Sequence, residues 1–287
     1  MLLWDYVRTL PQYMGPQHGL SRVVGRLARS ERPWLAGRLK TAFLRRYAVD
    51  LSEALEPDPE HYLSFNRFFT RALKPDARPL PADQKSLVSP ADGVIAEFGT
   101  LQRDRMLQAK GRTYSVDELL ANNIHASQQY HDGEFATVYL APHNYHRVHA
   151  PCGGQIHEVV YVPGVLFAVN PHTVRVVPRV LARNERVILH CTGDYGPFTL
   201  ILVGAVMVGS MELVSCDVAA LAASRRISHY AFECPFPFAR GAELGRFNMG
   251  STVIALFGRN VLQWTSTLAR GCSVRMGQAL ANPSERG

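Results

Sequence analysis

The apolar positions of this chain change period once, near residue 86. Upstream they recur every three to four residues. Within Gly19–Ser30, Leu20, Val23, Val24 and Leu27 fall at i, i+3, i+4 and i+7, with Arg22, Arg26 and Arg29 largely on another face, which predicts an amphipathic helix. After Pro33, Leu35, Leu39 and Phe43 continue at i, i+4 and i+8 with Trp34 beside them, so residues 1–48 as a whole read as helical. Asp50–Glu60 is an acidic, Pro-containing connection, Ser64–Arg71 a short aromatic helix, and Lys74–Lys85 a Pro- and Asp-rich loop. From Ser86 onward, short Val- and Ile-rich runs are divided by glycine and proline. Gly93–Phe98, Phe135–Leu140, Val159–Val162, Val174–Val180, Arg186–His190, Phe198–Val208 and Thr252–Phe257 have the length and composition of strands. Asp117–Asn123 reads as a helical turn. The pattern predicts an α+β chain: a β-rich, mostly antiparallel core, barrel- or sandwich-like, carrying an N-terminal amphipathic helical layer.

Composition sharpens the picture at the N-terminus. The 287 residues are 47% hydrophobic and 19% charged, enough for a sizeable core and too apolar for bulk disorder. The net charge is +7. Residues 1–48 hold Arg8, Arg22, Arg26, Arg29, Arg32, Arg38, Lys40, Arg45 and Arg46 against only Asp5 and Glu31, so the arm carries the whole excess and the body is neutral. Such a distribution points to an anionic partner, either nucleic acid or a membrane surface. A basic amphipathic helix with Trp34 and Phe43 suits the membrane interface; the alternative is a helix packed on the protein's own core. The longest uncharged run, Tyr195–Met211, is interrupted by Gly196, Pro197, Gly204 and Gly209. It is short of the roughly 20 apolar residues a spanning helix needs and reads as buried strand. Asp5 and Arg8 break up any signal-peptide pattern. Cys152, Cys191, Cys216, Cys234 and Cys272 are odd in number and widely spaced, which argues against a disulfide framework or thiolate zinc site and for a reducing compartment.

Three segments carry candidate chemistry. In Met249-Gly250-Ser251-Thr252, glycine exposes its carbonyl carbon and the Ser251 hydroxyl is close enough to attack it. The products of that attack are an ester, then dehydroalanine, then a pyruvoyl group on Thr252. The bland reading is a turn before a strand. The chemistry needs a base, and His143-Asn144-Tyr145-His146-Arg147-Val148-His149 holds three histidines at spacing three. They read as acid–base and anion-binding groups around His149, or as zinc ligands, although no His-Glu-x-x-His pattern or nearby cysteine completes such a site. Asp92-Gly93 is an ordinary Asp-Gly turn, or the carboxylate that orients an imidazole in a Ser-His-Asp set.

Taken in order, Phe65-Asn66-Arg67-Phe68-Phe69-Thr70-Arg71, Ser89–Gly93, Tyr145–Pro151, Gly204-Ala205 and Gly245-Arg246-Phe247-Asn248-Met249-Gly250-Ser251-Thr252 resemble the pyruvoyl-dependent, membrane-associated phosphatidylserine decarboxylases of bacteria. The resemblance implies a basic docking region (1–60) and a catalytic β-rich domain (61–287). It implies self-cleavage between Gly250 and Ser251, with Asp92, His149 and Ser251 as the cleavage triad and a covalent pyruvoyl cofactor derived from Ser251. His146 matches a second histidine that binds or protonates the substrate. The implied reaction converts phosphatidylserine to phosphatidylethanolamine and CO2 through a Schiff base, with no metal, and His146 and Arg147 are candidates to hold the lipid phosphate. The implied setting is peripheral, on the cytoplasmic face of the inner membrane. The substrate sits in an anionic lipid surface, nucleic acid takes no part, the two cleaved chains associate, and the family habit is a homodimer. Met249 and Asn144 depart from the family's usual leucine and aspartate. Two other classes remain open on the residues alone: a Ser-His-Asp lipid hydrolase with an intact chain, and a β-rich nucleic-acid module with a basic arm.

Overall fold

The computed structural model describes residues 9, 12, 17–109, 112–206, 210–248 and 251–284. Among them, sixteen strands follow the N-terminal helices. They begin with β1 (Leu87–Val88), β2 (Gly93–Thr100), β3 (Arg105–Ala109), β4 (Arg112–Ser115), β5 (Glu134–Leu140), β6 (Arg147–His149), β7 (Gly154–Val162) and β8 (Arg186–Gly193). The rest are β9 (Gly196–Val203), β10 (Met211–Leu213), β11 (Ser228–Phe238), β12 (Glu243–Phe247), β13 (Ser251–Phe257), β14 (Leu262–Trp264), β15 (Ser273–Val274) and β16 (Ala279–Pro283).

An eight-stranded sheet in the order β11-β7-β8-β9-β13-β5-β2-β15 is antiparallel throughout. Two three-stranded sheets, β10-β12-β6 and β1-β16-β14, lie apart from it. Among the described residues β11 and β15 do not pair, so the sheet stays open, and the barrel form of the expectation gives way to a layered one. Strand parity decides the layers, because successive side chains point to opposite faces. Val253, Ala255 and Phe257 pack with Val148, Leu244 and Phe247 of the small sheet in one core. Ile254 and Leu256 pack with Tyr114, Leu119 and Val180 of the helices and the β3–β4 hairpin in another. All seven residues of β13 are buried, as expected of a strand covered on both faces.

The N-terminal helices are Gln17–Ala28 and Pro33–Arg46. The second packs on the short helix Phe65–Phe69, where Leu39, Phe43 and Leu44 meet Phe65, Phe68 and Phe69, and Lys40 Nζ donates to the Pro59 and Tyr62 carbonyls at 2.6 and 3.0 Å. Ser64 caps the short helix by accepting from the Arg67 amide. The first helix behaves differently. Ser21, Gly25 and Ala28 are its buried positions, while Leu20, Val23 and Leu27 are 45–52% exposed, as is Trp34 at 58%. The apolar stripe read from the sequence therefore faces outward.

One expected strand is corrected and one unexpected strand is added. Val174–Val180 is not a strand: Asn170 accepts from the Thr173 amide, Pro171 opens the helix Pro171–Val176, and Val180–Arg183 forms a second turn. A helix cap and a proline at the first helical position outweigh the β-propensity of a valine-rich run. The eleven-residue β11 is additional. Its mixed aromatic and polar sequence, with Pro235 and Pro237, gives no clean alternation, and it pairs on one side only. Proline is tolerated on such an edge. The end of the Phe198–Val208 run extends past β9 to positions that lie partly outside the described residues.

Candidate active site

β13 positions Ser251. It is the first residue of the strand, opposite Leu140 of β5, and shares the parity of Val253, Ala255 and Phe257. It therefore faces the layer that contains β6 and β12. Its side chain is fully buried and its Oγ has no hydrogen-bond partner among the described residues. Met249 and Gly250 lie outside the described residues.

β6 carries His149, which pairs with Glu243 of β12. The ring is held at both nitrogens: Nδ1 is 2.8 Å from the Gly241 carbonyl and Nε2 is 3.0 Å from the Tyr145 hydroxyl. A carbonyl can only accept, so Nδ1 carries the proton, and Nε2 accepts from Tyr145. Gly241 can serve here because its φ is +79°, a left-handed conformation suited to glycine. Burial pushes the His149 pKa down, and the Gly241 hydrogen bond and the charges of Glu243 and Asp92 only partly oppose it. The imidazole is a neutral base at pH 7.

Asp92 lies in the turn between β1 and β2, against β6, since the His149 amide donates to the Pro90 carbonyl at 2.8 Å. The following Gly93 is required by close approach: a Cβ there would stand 2.3 Å from the Tyr139 carbonyl oxygen. The carboxylate accepts a two-point contact from Arg78, Nε to Oδ1 at 2.9 Å and Nη2 to Oδ2 at 2.5 Å, and a third bond from the Met276 amide at 2.8 Å. Arg78 also reaches Glu53 at 2.8 Å. Burial opposes the arginine's charge, but the two carboxylates outweigh it and hold its pKa above the ordinary value. No local motif marks Arg78, which sits in a stretch legible only as loop.

Asp92, His149 and Ser251 thus occupy adjoining elements, and no hydrogen bond joins any two of them. Asp92 and His149 line neighbouring cavities of about 260 and 540 Å³ that share Leu73, Arg78 and Tyr145. Ser251 and His146 line neither. The three histidines separate: His143 is exposed, His149 is held as above, and His146 is fully buried with its ring 4.0 Å from that of Phe69. His146 Nδ1 donates to the Asn144 carbonyl at 2.8 Å, and Nε2 is left without a partner. Asn144 also accepts from the Ala141 amide at 2.8 Å, closing the loop. Arg147 is engaged structurally, with Glu243 at 2.7 Å and the Thr70 carbonyl at 3.0 Å. That leaves little of its charge for a lipid phosphate.

Burial lowers the His146 pKa from 6.5 to about 3. The unfolded chain takes up this proton below pH 6.5 and the folded one does not, so stability is lost as pH falls through that window. At pH 4.5 the difference from pH 7 is roughly 3 kcal/mol from this residue. Thermal unfolding of wild type and His146→Leu at both pH values measures it. The variant is expected to lose about 5–10 °C less on acidification, and equal losses would show that His146 does not govern the acid limb.

Among the described residues no helix is long and apolar enough to cross a membrane. A family model described as phosphatidylserine decarboxylase matches residues 65–282, and one described as PSD matches residues 7–48. The chain is 44% identical over 284 residues to the phosphatidylserine decarboxylase proenzyme of Bordetella pertussis, covering 98% of this chain and 95% of that one. It is 47% identical over 254 residues to the proenzyme of that name from Alkalilimnicola ehrlichii, 88% of each chain. The Vibrio cholerae proenzyme is 41% identical over 288 residues, 97% of this chain and 99% of its own.

Proposed function

Since the chain belongs to the phosphatidylserine decarboxylase family, we propose that it converts phosphatidylserine to phosphatidylethanolamine and CO2 with an electrophile made from its own Ser251. The observation that carries this reading is the unpartnered Ser251 hydroxyl at the head of the central strand. An unsatisfied buried hydroxyl costs about 1–3 kcal/mol, and a catalytic role is one of the reasons a fold retains such a group.

In the self-processing step, Ser251 Oγ attacks the Gly250 carbonyl carbon. The C–N bond breaks, an ester forms, and the Ser251 nitrogen becomes a free amine. Loss of the Ser251 α-proton then expels the Gly250 carboxylate and leaves dehydroalanine, whose imine tautomer takes up water and releases ammonia. Thr252 is left with an N-terminal pyruvoyl group. When present, that group supplies a carbonyl that binds the substrate amine covalently and draws electrons from the bond to the departing carboxylate. The buried, unpartnered position of Ser251 fits such a group, since among the described residues nothing competes for its oxygen.

His149 is the base in this scheme. Its Nε2 is unprotonated at neutral pH, and taking the serine proton requires it to release Tyr145. Asp92 acts through the field it exerts on the imidazole, fixed in place by Arg78 and Met276. His146, neutral and unpartnered at Nε2, becomes the acid only after an anionic headgroup arrives and raises its pKa. The C-terminal product would stay interlocked with the rest: β13 lies between β9 and β5, β15 pairs with β2, and β16 with β1. The exposed Leu20, Val23, Leu27 and Trp34, with the arginines of the same arm, support docking on an anionic lipid surface, each cation near it contributing about 1 kcal/mol.

Intact mass of the purified protein tests the reading. Fragments 1–250 and 251–287 are expected, together with inactivation by hydroxylamine or borohydride, which trap carbonyls. In His149→Gln the cleavage rate should fall roughly 10²–10⁴-fold. A wild-type chain that decarboxylates while whole sinks the self-processing step, and one that stays whole, resists carbonyl traps and cleaves lipid esters is a serine hydrolase.

A further inference from the structure

We propose that Arg71 recognises the phosphodiester of the lipid headgroup, an assignment that rests on the decarboxylase reading above. The 260 Å³ cavity beside Asp92 is lined by Arg71, Arg78, Arg275, His143 and Tyr145 among others. Two of its three arginines are already paired: Arg78 with Asp92 and Glu53, and Arg275 with Glu53. The third cavity carboxylate, Asp50, is exposed and accepts from the amide and hydroxyl of Ser52.

Arg71 differs from both. It is 4% exposed, and its Nε is buried without a partner. Its Nη2 reaches only the His143 carbonyl, at 3.5 Å, and the guanidinium carbon lies 5.8 Å from the centre of the Phe68 ring. No carboxylate forms an ion pair with it among the described residues. Asp92 and Asp50 act on it only through space. A buried guanidinium with no carboxylate in contact is costly unless an anion completes it, and its planar fork matches a phosphate.

Position singles out the phosphodiester. The loop Ala141–Tyr145 supplies four of the cavity's lining residues and begins one residue after Leu140, the strand partner of Ser251. Arg71 also acts electrostatically on His146. An anion held by Arg71 is thus one short loop from the reactive serine, and in the serine headgroup only two carbons separate the phosphate ester oxygen from the amine. A carboxylate is the poorer occupant. An arginine on the departing CO2⁻ would stabilise the charge that the reaction must disperse, whereas the phosphodiester keeps its charge throughout.

The test is thermal unfolding of wild type, Arg71→Met and Arg71→Lys with glycerophosphoethanolamine, inorganic phosphate or L-serine. Turnover of phosphatidylserine in vesicles and intact mass of each variant accompany it. Glycerophosphoethanolamine, which has the phosphodiester and no carboxylate, should raise the wild-type midpoint in a saturable way, and Arg71→Met should lose the shift. In turnover, KM should rise roughly 10–100-fold with little change in kcat, while both chains still form. Arg71→Lys keeps the charge without the fork and should fall between; it carries the test if the methionine variant does not fold. Equal shifts in all three proteins overturn the proposal. Stabilisation by phosphate alone replaces the headgroup with a free-anion site, and stabilisation by serine alone replaces it with a carboxylate site. A wild type that binds glycerophosphoethanolamine through Arg71 yet releases no CO2 sinks the decarboxylase reading and leaves the anion site standing. Normal turnover with an unchanged KM in the variants does the reverse.

Discussion

Ser251→Ala is expected to give a single uncut chain of 287 residues with no decarboxylation above background, and yet a fold at least as stable as wild type. The combination matters more than either half. Loss of activity alone would follow from any disruption of β13, whose seven residues are buried at the centre of the large sheet. The Ser251 oxygen, however, has no hydrogen bond to lose. Replacing an unsatisfied buried hydroxyl with hydrogen removes a desolvation cost, so stability should hold or rise by about 1 kcal/mol. Activity should fall by at least about 10⁴-fold, because no other group in the site supplies an electrophile. Intact mass, a melting curve and CO2 release on one preparation decide it. A variant that is cut or turns over removes Ser251 from the chemistry. A variant that melts well below wild type shows instead that the hydroxyl is structurally engaged.

Arg78→Leu should produce the largest loss of stability of any single change near the site. Arg78 and Asp92 have side chains only 7% and 10% exposed. Their pairing is two-pronged, and Arg78 ties in Glu53 as well. Removing the arginine leaves Asp92 a buried anion with, among the described residues, only the Met276 amide as donor. Breaking a buried pair from one side costs about 3–5 kcal/mol, which corresponds to roughly 6–20 °C in Tm for chains of this order. The double variant Arg78→Leu/Asp92→Leu should recover part of that loss, because it no longer buries an unpaired charge. Thermal melts of the two single variants and the double variant form the cycle. If the Arg78 variant melts within about 1 kcal/mol of wild type, the pair is solvated and Asp92 is not fixed by it. The time course of chain cleavage in the same variant reports whether a displaced Asp92 also weakens His149 as a base.

How much of this was legible beforehand depends on the range of the interaction. β5, β8, β9 and β13 were readable as apolar runs because burial on both faces leaves a near-continuous signature, whereas β2 is buried on alternate residues only. The helix Gln17–Ala28 was readable from its 3.6 period, but not which way its stripe would face. The helix Pro171–Val176 was missed because its valines outvoted a cap made by one asparagine. β11 was missed because an edge strand need not alternate. In the site, Ser251, His149, His146 and Asp92 stood out by residue type and local motif. Arg78, Tyr145, Arg71 and Gly241 did not: an arginine in a loop or a tyrosine beside a histidine has no local mark of what it will touch.

The sequence by itself determined the class of the fold, the basic arm, and a serine after a glycine with histidine and aspartate upstream of it, since these are properties of neighbouring residues. Tertiary structure alone decided that His149 holds Tyr145 and not Ser251, that Arg78 and not a histidine secures Asp92, and that Arg147 is paired while Arg71 is not. Those outcomes depend on which buried charges and lone pairs find partners across 4 to 184 positions of sequence. Only a completed fold fixes that, because the cost of a polar group left without a partner arises after water has been excluded.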